Sequence, residues 1–236
     1  MKTYQYTDAR AALANMSGPH WVDVLPHHLE EGIAFAARQQ CEVRISNWTA
    51  DPLLHNTANG AHTAFAPPTE RVTLDLAALL AYPKLQKLGI YADFPLESVQ
   101  NSDALYRLPN LQQLVISGQT GKFQIDLAKL PALNSLSIDK YSATIANIGR
   151  ASRLETLLLW AYPRPDLTEF ARLHRLRDLR LYHAKIQTLN GIEHLTKLEY
   201  LDIAYAKHLH DISALEKLEQ THKIAQTNLP KKFKRR

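Results

Sequence analysis

Two clusters of histidine and carboxylate are the residues in this chain whose types suit metal chemistry. His27 and His28 stand beside Glu30 and Glu31, and His208, His210 and Asp211 form a second group. Imidazole and carboxylate ligate divalent metals only when several converge on one point with hydrogen-bonded support behind them. Neither cluster has the HExxH or paired Cys/His spacing that imposes convergence, so both read as solvated polar side chains and no metal is expected. The single cysteine, Cys41, excludes an intramolecular disulfide. It falls on a strand-like stretch and is expected to be a small packed side chain rather than a nucleophile. There is no Walker loop, Rossmann glycine pattern or GxSxG elbow, and eight glycines leave little material for a phosphate cradle. The expectation is a non-enzyme with no cofactor and no small-molecule substrate.

A different chemistry is concentrated at the C-terminus. Lys231, Lys232, Lys234, Arg235 and Arg236 carry the whole formal charge of +5; without these five, 28 Lys+Arg become 23, equal to the 23 Asp+Glu. Such a run could contact nucleic-acid phosphates or an anionic membrane surface, with Phe233 as an apolar anchor. The neutral body counts against dedicated nucleic-acid binding, so binding through the tail is the alternative function. The tail beyond Pro230 is expected to be disordered.

The residues best suited to recognition are set out by a repeat. A frame of leucine, two residues, leucine, one residue, then leucine or isoleucine recurs at Leu85/Leu88/Ile90, Leu111/Leu114/Ile116, Leu133/Leu136/Ile138, Leu154/Leu157/Leu159, Leu176/Leu179/Leu181 and Leu198/Leu201/Ile203. A fixed period in the low twenties marks a stacked solenoid. The last two apolar positions alternate, as in a short strand with one buried face. Between frames the apolar residues step by three (Leu167, Phe170, Leu173; Leu189, Ile192, Leu195), which suits a 3₁₀ turn with its apolar edge inward. One repeat cannot bury its own leucines, but stacked copies can. The strands should line up as a parallel sheet on the concave side.

Residues flanking the strand leucines point away from that core. Tyr91, Asp139, Trp160 and Tyr182 directly follow the third apolar site, Arg180 and Asp202 precede it, and Tyr200 lies earlier on its strand. Large aromatics mixed with Asp and Arg have the composition of interface anchors. These seven residues are the candidate protein-binding site, and the expected partner is an unidentified protein. Nothing in the sequence fixes the oligomeric state.

The repeated frame resembles leucine-rich-repeat proteins, and its short period is similar to the bacterial internalin-type class. The match covers roughly residues 74 to 218. The resemblance implies an α/β fold: a right-handed solenoid with a parallel concave sheet and 3₁₀ turns on the convex side. It also suggests a non-catalytic binding role, as a bacterial effector, toxin-neutralising or scaffold protein. The family usually places Asn, Cys or Thr three residues after the third apolar site. Here those positions are Asp93, Gln119, Tyr141, Tyr162, Ala184 and Ala206, so the turn backbone must find other partners, water included.

Ahead of the first repeat, Leu29, Ile33 and Ala36 recur at helical spacing, with Glu30 and Glu31 in the first turn where helix polarity favours them. The stretch Cys41 to Ile45 alternates as a strand. This helix–strand pair is expected to cap the first repeat. The resulting organisation is an N-terminal cap at 1–48, a loop or degenerate repeat at 49–71, the solenoid at 72–226 and the basic tail at 227–236. Extra residues in the first repeat, Asp93 to Ser102, should bulge from a turn. The N-terminus does not read as a signal peptide, and no run approaches the ~18 apolar residues of a membrane span. A cytoplasmic location is expected.

Overall fold

The structure, a computed structural model, describes residues 3–6, 21–46, 71–92 and 94–233. The chain divides into two compact units, one of residues 1–111 with 115–122 and the other of residues 112–114 with 123–236.

In the first unit, β1 (Thr3–Tyr6), β2 (Trp21–Val24) and β3 (Glu42–Ile45) are parallel neighbours. Helix α1 (Leu29–Gln39) crosses from β2 to β3 and buries Ile33 and Ala36. It ends at Gln40 in a left-handed conformation, whose turn lets Cys41 N–H reach the Ala36 carbonyl at 3.0 Å. This is the backbone C-cap that satisfies a terminal carbonyl. Cys41 lies one residue before β3 rather than on it. It is fully buried, and burial pushes its thiol pKa up, as expected of a packed side chain.

Three more strands of this unit are β4 (Val72–Asp75), β5 (Lys87–Ala92) and β6 (Leu96–Gln100). β3 pairs directly with β5, Val43 opposite Leu88 and Ile45 opposite Ile90. The helix–strand cap therefore stands in register with the first repeat, its apolar residues continuing the same buried column. Apart from Arg71, residues 49–71 lie outside the described residues. The extra residues of the first repeat do not simply bulge. Residues 96–100 become β6, which pairs in parallel with β4 as a separate two-stranded sheet. The alternation Leu96/Val99 against Val72/Leu74 is masked by a register shift between Val72 and Thr73. Asp93 lies outside the described residues.

β7 (Gln113–Gly118) runs across the division with Leu114 and Ile116 buried. The second unit then holds β8 (Ile125–Asp126), β9 (Ser135–Ile138), β10 (Ile145–Ala146), β11 (Thr156–Trp160), β12 (Asp178–Tyr182), β13 (Tyr200–Ala204) and β14 (Gln226–Asn228). Its main sheet is parallel in the order β9-β11-β12-β13-β14, while β8 and β10 form a separate pair. Leu136, Leu157, Leu179 and Leu201 face one another across the sheet, as do Ile138, Leu159, Leu181 and Ile203. All are buried, as the period-2 pattern requires.

Each strand is followed by a return segment, and most of these are the 3₁₀ turns the step of three predicts: Leu127–Lys129, Ile148–Arg150, Thr168–Phe170 and Ile192–His194. Side chains at successive thirds eclipse in a 3₁₀ turn, which stacks Leu167, Phe170 and Leu173 on one inward edge. The last return differs, being the helix α2 (Ser213–Thr221), which buries Ala214, Leu215 and Leu218. Ile224 is buried just before β14. β14 crosses the 226/227 boundary, and Lys231–Phe233 form a short 3₁₀ turn. The first part of the basic tail is thus ordered rather than disordered; Lys234, Arg235 and Arg236 lie outside the described residues.

Neighbouring returns pack backbone against backbone. A Cβ on Gly149 would overlap the Glu169 carbonyl oxygen, and one on Gly191, whose φ is +103°, would overlap the Leu167 backbone. The turn at 167–169 is held between two glycines from the repeats on either side.

Candidate interaction surface

After β9, β11, β12 and β13 the chain reverses through a left-handed residue. Lys140, Ala161, His183 and Tyr205 have φ of 57°, 59°, 53° and 58°, at intervals of 21, 22 and 22 residues. L-residues other than Gly, Asn and Asp avoid this region because Cβ crowds the following carbonyl. Ladder hydrogen bonds hold it here: Ala161 N–H donates to the Tyr182 carbonyl at 2.8 Å and His183 N–H to the Ala204 carbonyl at 3.0 Å.

The reversal leaves the side chains of His183 and Tyr205 exposed at the C-terminal edge of the sheet. Trp160, the last residue of β11, joins them. Its ring stacks on His183 with centroids 5.4 Å apart, and His183 stacks on Tyr205 at 4.6 Å and 10°. Trp160 is 38 % exposed and Tyr205 66 %; among the described residues they are the exposed large hydrophobic side chains. The three rings make a continuous aromatic ledge across three repeats.

Beneath the ledge, the solvent face of the sheet is a closed polar network. The Tyr182 hydroxyl donates to Asp202 Oδ2 at 2.7 Å, and Asn228 Nδ2 donates to Asp202 Oδ1 at 2.7 Å. Both carboxylate oxygens of Asp202 are engaged, which is how a charge at 8 % exposure is tolerated. Burial, with the hydrogen bond to Asp202 behind it, pushes the Tyr182 phenol up to about 12. The Tyr182 ring meets Trp160 edge-on at 5.2 Å. Arg180 forks onto Asp178 with bonds of 2.9 and 2.7 Å, and its guanidinium covers the Tyr200 ring at 4.6 Å. Such a network rigidifies its members.

The seven sequence-derived residues are accordingly not equivalent. Trp160 presents open aromatic surface. Arg180, Tyr182 and Tyr200 are half-buried, with their polar atoms or ring faces turned to one another. Asp202 does not point freely into solvent, because its carboxylate is spent on Tyr182 and Asn228. Asp139 follows β9, one residue past the Ile138–Leu159 pair, and is half-exposed. Tyr91 belongs to the first unit, where it leans over Gly89 near Arg44, whose guanidinium is paired with the buried Asp23. The structure adds His183 and Tyr205, which strand alternation does not single out. They sit one position beyond the row that ends at Ala204, and extending that row by one residue finds them.

The histidine clusters are elsewhere. In the first unit a cavity of about 620 Å³ is lined by His27, His28, Glu30, Glu31 and Asp75, among others. His28 Nδ1 lies 3.7 Å from Glu31. His208 and His210 are exposed at a turn of the second unit. Among the described residues no three histidine, cysteine or carboxylate side chains are grouped to hold a metal ion.

The turn position that the repeat pattern left without a consensus Asn is filled in several ways. Gln119 Nε2 donates to the Phe94 carbonyl at 2.7 Å, a side chain reaching backbone as the missing Asn would. Tyr162 instead is fully buried, its hydroxyl donating to Glu169 Oε2 at 2.9 Å and its ring packed on Phe170 (4.9 Å) and Tyr141 (5.7 Å). Burial, and then the nearby Glu169 charge, push the Tyr141 phenol up to about 12 and the Tyr162 phenol higher still. Ala184 and Ala206 are buried too.

One backbone feature decides the fold. One residue before β7, β9, β11 and β12 a carbonyl accepts N–H groups from the next repeat: Gln112 from Asn134 and Ser135, Asn134 from Glu155 and Thr156, Glu155 from Arg177 and Asp178, Arg177 from Glu199 and Tyr200. The acceptors are 22, 21 and 22 residues apart, the same interval as the buried leucines and the left-handed turns. The fold is a leucine-rich-repeat solenoid. No protein-family model matches the chain, and no curated protein does either. Solved structures similar to it include a leucine-rich-repeat protein of Leptospira interrogans, at 20% identity over 64% of this chain with a TM-score of 0.46. The chain spans only 38% of that protein's length. Internalin C2 of Listeria monocytogenes is similar at 15% identity, over 68% of this chain and 80% of that one, with a TM-score of 0.42. The leucine-rich-repeat ectodomain of an Arabidopsis thaliana membrane receptor kinase is similar at 14% identity, over 78% of this chain and 24% of that one, with a TM-score of 0.36.

Proposed function

We propose that this leucine-rich-repeat chain is a protein-binding module whose docking surface is the aromatic ledge Trp160–His183–Tyr205 at the C-terminal edge of the second unit's sheet. The observation that supports this reading is the exposure of Trp160 and Tyr205 over a base whose hydrogen bonds are already satisfied. Aromatic anchors dominate interface energetics, and a surface held rigid before binding loses little conformational entropy on association. Arg180, Tyr182, Tyr200 and Asp202 act in this scheme as the support that positions the ledge, and Asp139 borders it.

The test is affinity capture with the full chain as bait, identification of the captured protein by mass spectrometry, and titration of that protein against variants. Trp160→Ala and Tyr205→Ala should each weaken binding by roughly 2 kcal/mol or more with an unchanged circular dichroism spectrum. Deleting Lys231 to Arg236 should matter less, and mainly at low salt, because the attraction of surface charges is screened by salt. Abolition of binding by the tail deletion, with both aromatic variants binding normally, would replace this reading with tail-mediated binding to nucleic acid or an anionic membrane.

A further inference from the structure

The turns that carry the ledge have a one-sided charge. Residues 160–165, 182–187 and 204–210 contain Arg164, Lys185 and Lys207, together with His183, His208 and His210, and no aspartate or glutamate. Arg164 lies 3.9 Å from Glu169 and is partly neutralised. Lys185 and Lys207 occupy the same place in consecutive repeats, two residues after His183 and Tyr205, and both are exposed. Among the described residues neither has a hydrogen-bonded or ionic side-chain partner. In the C-terminal segment Lys231, three residues past the Asn228 that pairs with Asp202, is exposed as well, though it does not belong to the 185/207 column.

Resting on the protein-binding reading above, we propose that the ledge and this lysine column form one surface that recognises an acidic peptide segment carrying an aromatic or apolar residue. The apolar side chain packs on the open face of Tyr205 or the edge of Trp160, while carboxylates reach Lys185 and Lys207. Complementary charge of this kind sets specificity and association rate. A single-stranded nucleic acid would also be drawn by lysines, but it needs free aromatic faces on which successive bases stack. Here His183 is covered by Trp160 on one side and Tyr205 on the other and offers no free face. The arrangement favours the peptide.

The test uses the full chain and fluorescently labelled probes: short synthetic peptides alternating tyrosine with glutamate, with serine or with lysine, and an oligothymidylate. The glutamate peptide should bind best, the serine peptide more weakly and the lysine peptide not at all. The Lys185→Glu/Lys207→Glu variant should lose about tenfold or more in affinity for the glutamate peptide and gain affinity for the lysine peptide. Tyr205→Ala should weaken the glutamate and serine peptides alike. If serine and glutamate peptides bind equally and Tyr205 is still required, the acidic preference is wrong while the protein-binding ledge stands. If no peptide depends on Tyr205 or Trp160, the ledge itself is wrong and both readings fall. Preferred binding of oligothymidylate, or no peptide binding at all, also overturns the proposal.

Discussion

Replacing Tyr162 by asparagine places at that position the residue type a leucine-rich repeat usually carries, and it should nonetheless be strongly destabilising. The ring is fully buried between Tyr141 and Phe170, and its hydroxyl reaches Glu169. Truncating a buried aromatic costs about 3–5 kcal/mol, and the ring–ring geometry with Tyr141 and Phe170 is worth about 0.5–1.5 kcal/mol per pair. Asparagine fills little of that volume and brings an amide needing partners. Tyr162→Asn should therefore cost about 3–5 kcal/mol, much like Tyr162→Ala. Tyr162→Phe keeps the ring and removes one bond to a carboxylate, an interaction worth about 1.5–3 kcal/mol. The Glu169 side chain is 24% exposed, so water replaces part of it, and a loss near the low end, about 1.5 kcal/mol, is expected. Urea unfolding followed by circular dichroism measures all three. Two outcomes refute the reasoning: an asparagine variant within about 1 kcal/mol of the parent, or a phenylalanine variant as damaged as the asparagine one.

Leu179→Ala, in the middle of the second unit's sheet, should cost about 2–5 kcal/mol, whereas Arg180→Ala beside it should cost under about 1 kcal/mol because its ion pair is partly solvated; equal losses in denaturant melts would mean the facing of β12 is misassigned. Asp202→Ala strips the Tyr182 hydroxyl and Asn228 amide of their acceptor, so a loss of about 1–3 kcal/mol and faster amide exchange in β14 are expected, and unchanged exchange there would show that Asn228 does not anchor the strand. Alkaline titration should also destabilise the protein. Tyr141 and Tyr162 have folded phenol values above the unfolded value of about 10, so their contribution is full below about pH 10 and falls as pH rises above it, until the folded value is passed at about 12 for Tyr141 and higher still for Tyr162. A flat stability profile in that range for the parent, or no reduction in slope for Tyr162→Phe, would contradict the assignment.

The repeat frame is legible because a strand's period of two and a return's step of three leave different marks on the same leucines. Leu179 and Leu181 are buried as read, and so are Leu167, Phe170 and Leu173. The helix–strand cap is legible for the same reason. β6 is not, since its alternation is interrupted by a register shift and its partner β4 is distant in sequence. The order in Lys231–Phe233 is equally hidden, because charge density says nothing about a short turn that follows a paired strand. At the candidate surface, facing is readable but partnership is not. Whether Asp202 meets solvent depends on Tyr182 and Asn228, which are 20 and 26 residues away. His183 and Tyr205 are invisible to strand alternation because they lie on a reversal, where backbone handedness rather than pleat decides which way a side chain faces.

That handedness bears on how the surface could change. Ala161, His183 and Tyr205 stand where glycine would relieve about 1–2 kcal/mol per position, and the side chains of His183 and Tyr205 contribute little to the core. A glycine at 183 or 205 would leave the stack of repeats at least as stable while erasing the ledge. The same independence makes the column a natural place to diversify: residues 140, 161, 183 and 205 could be randomised together, repeat by repeat, to re-target the surface without redesigning the leucine core.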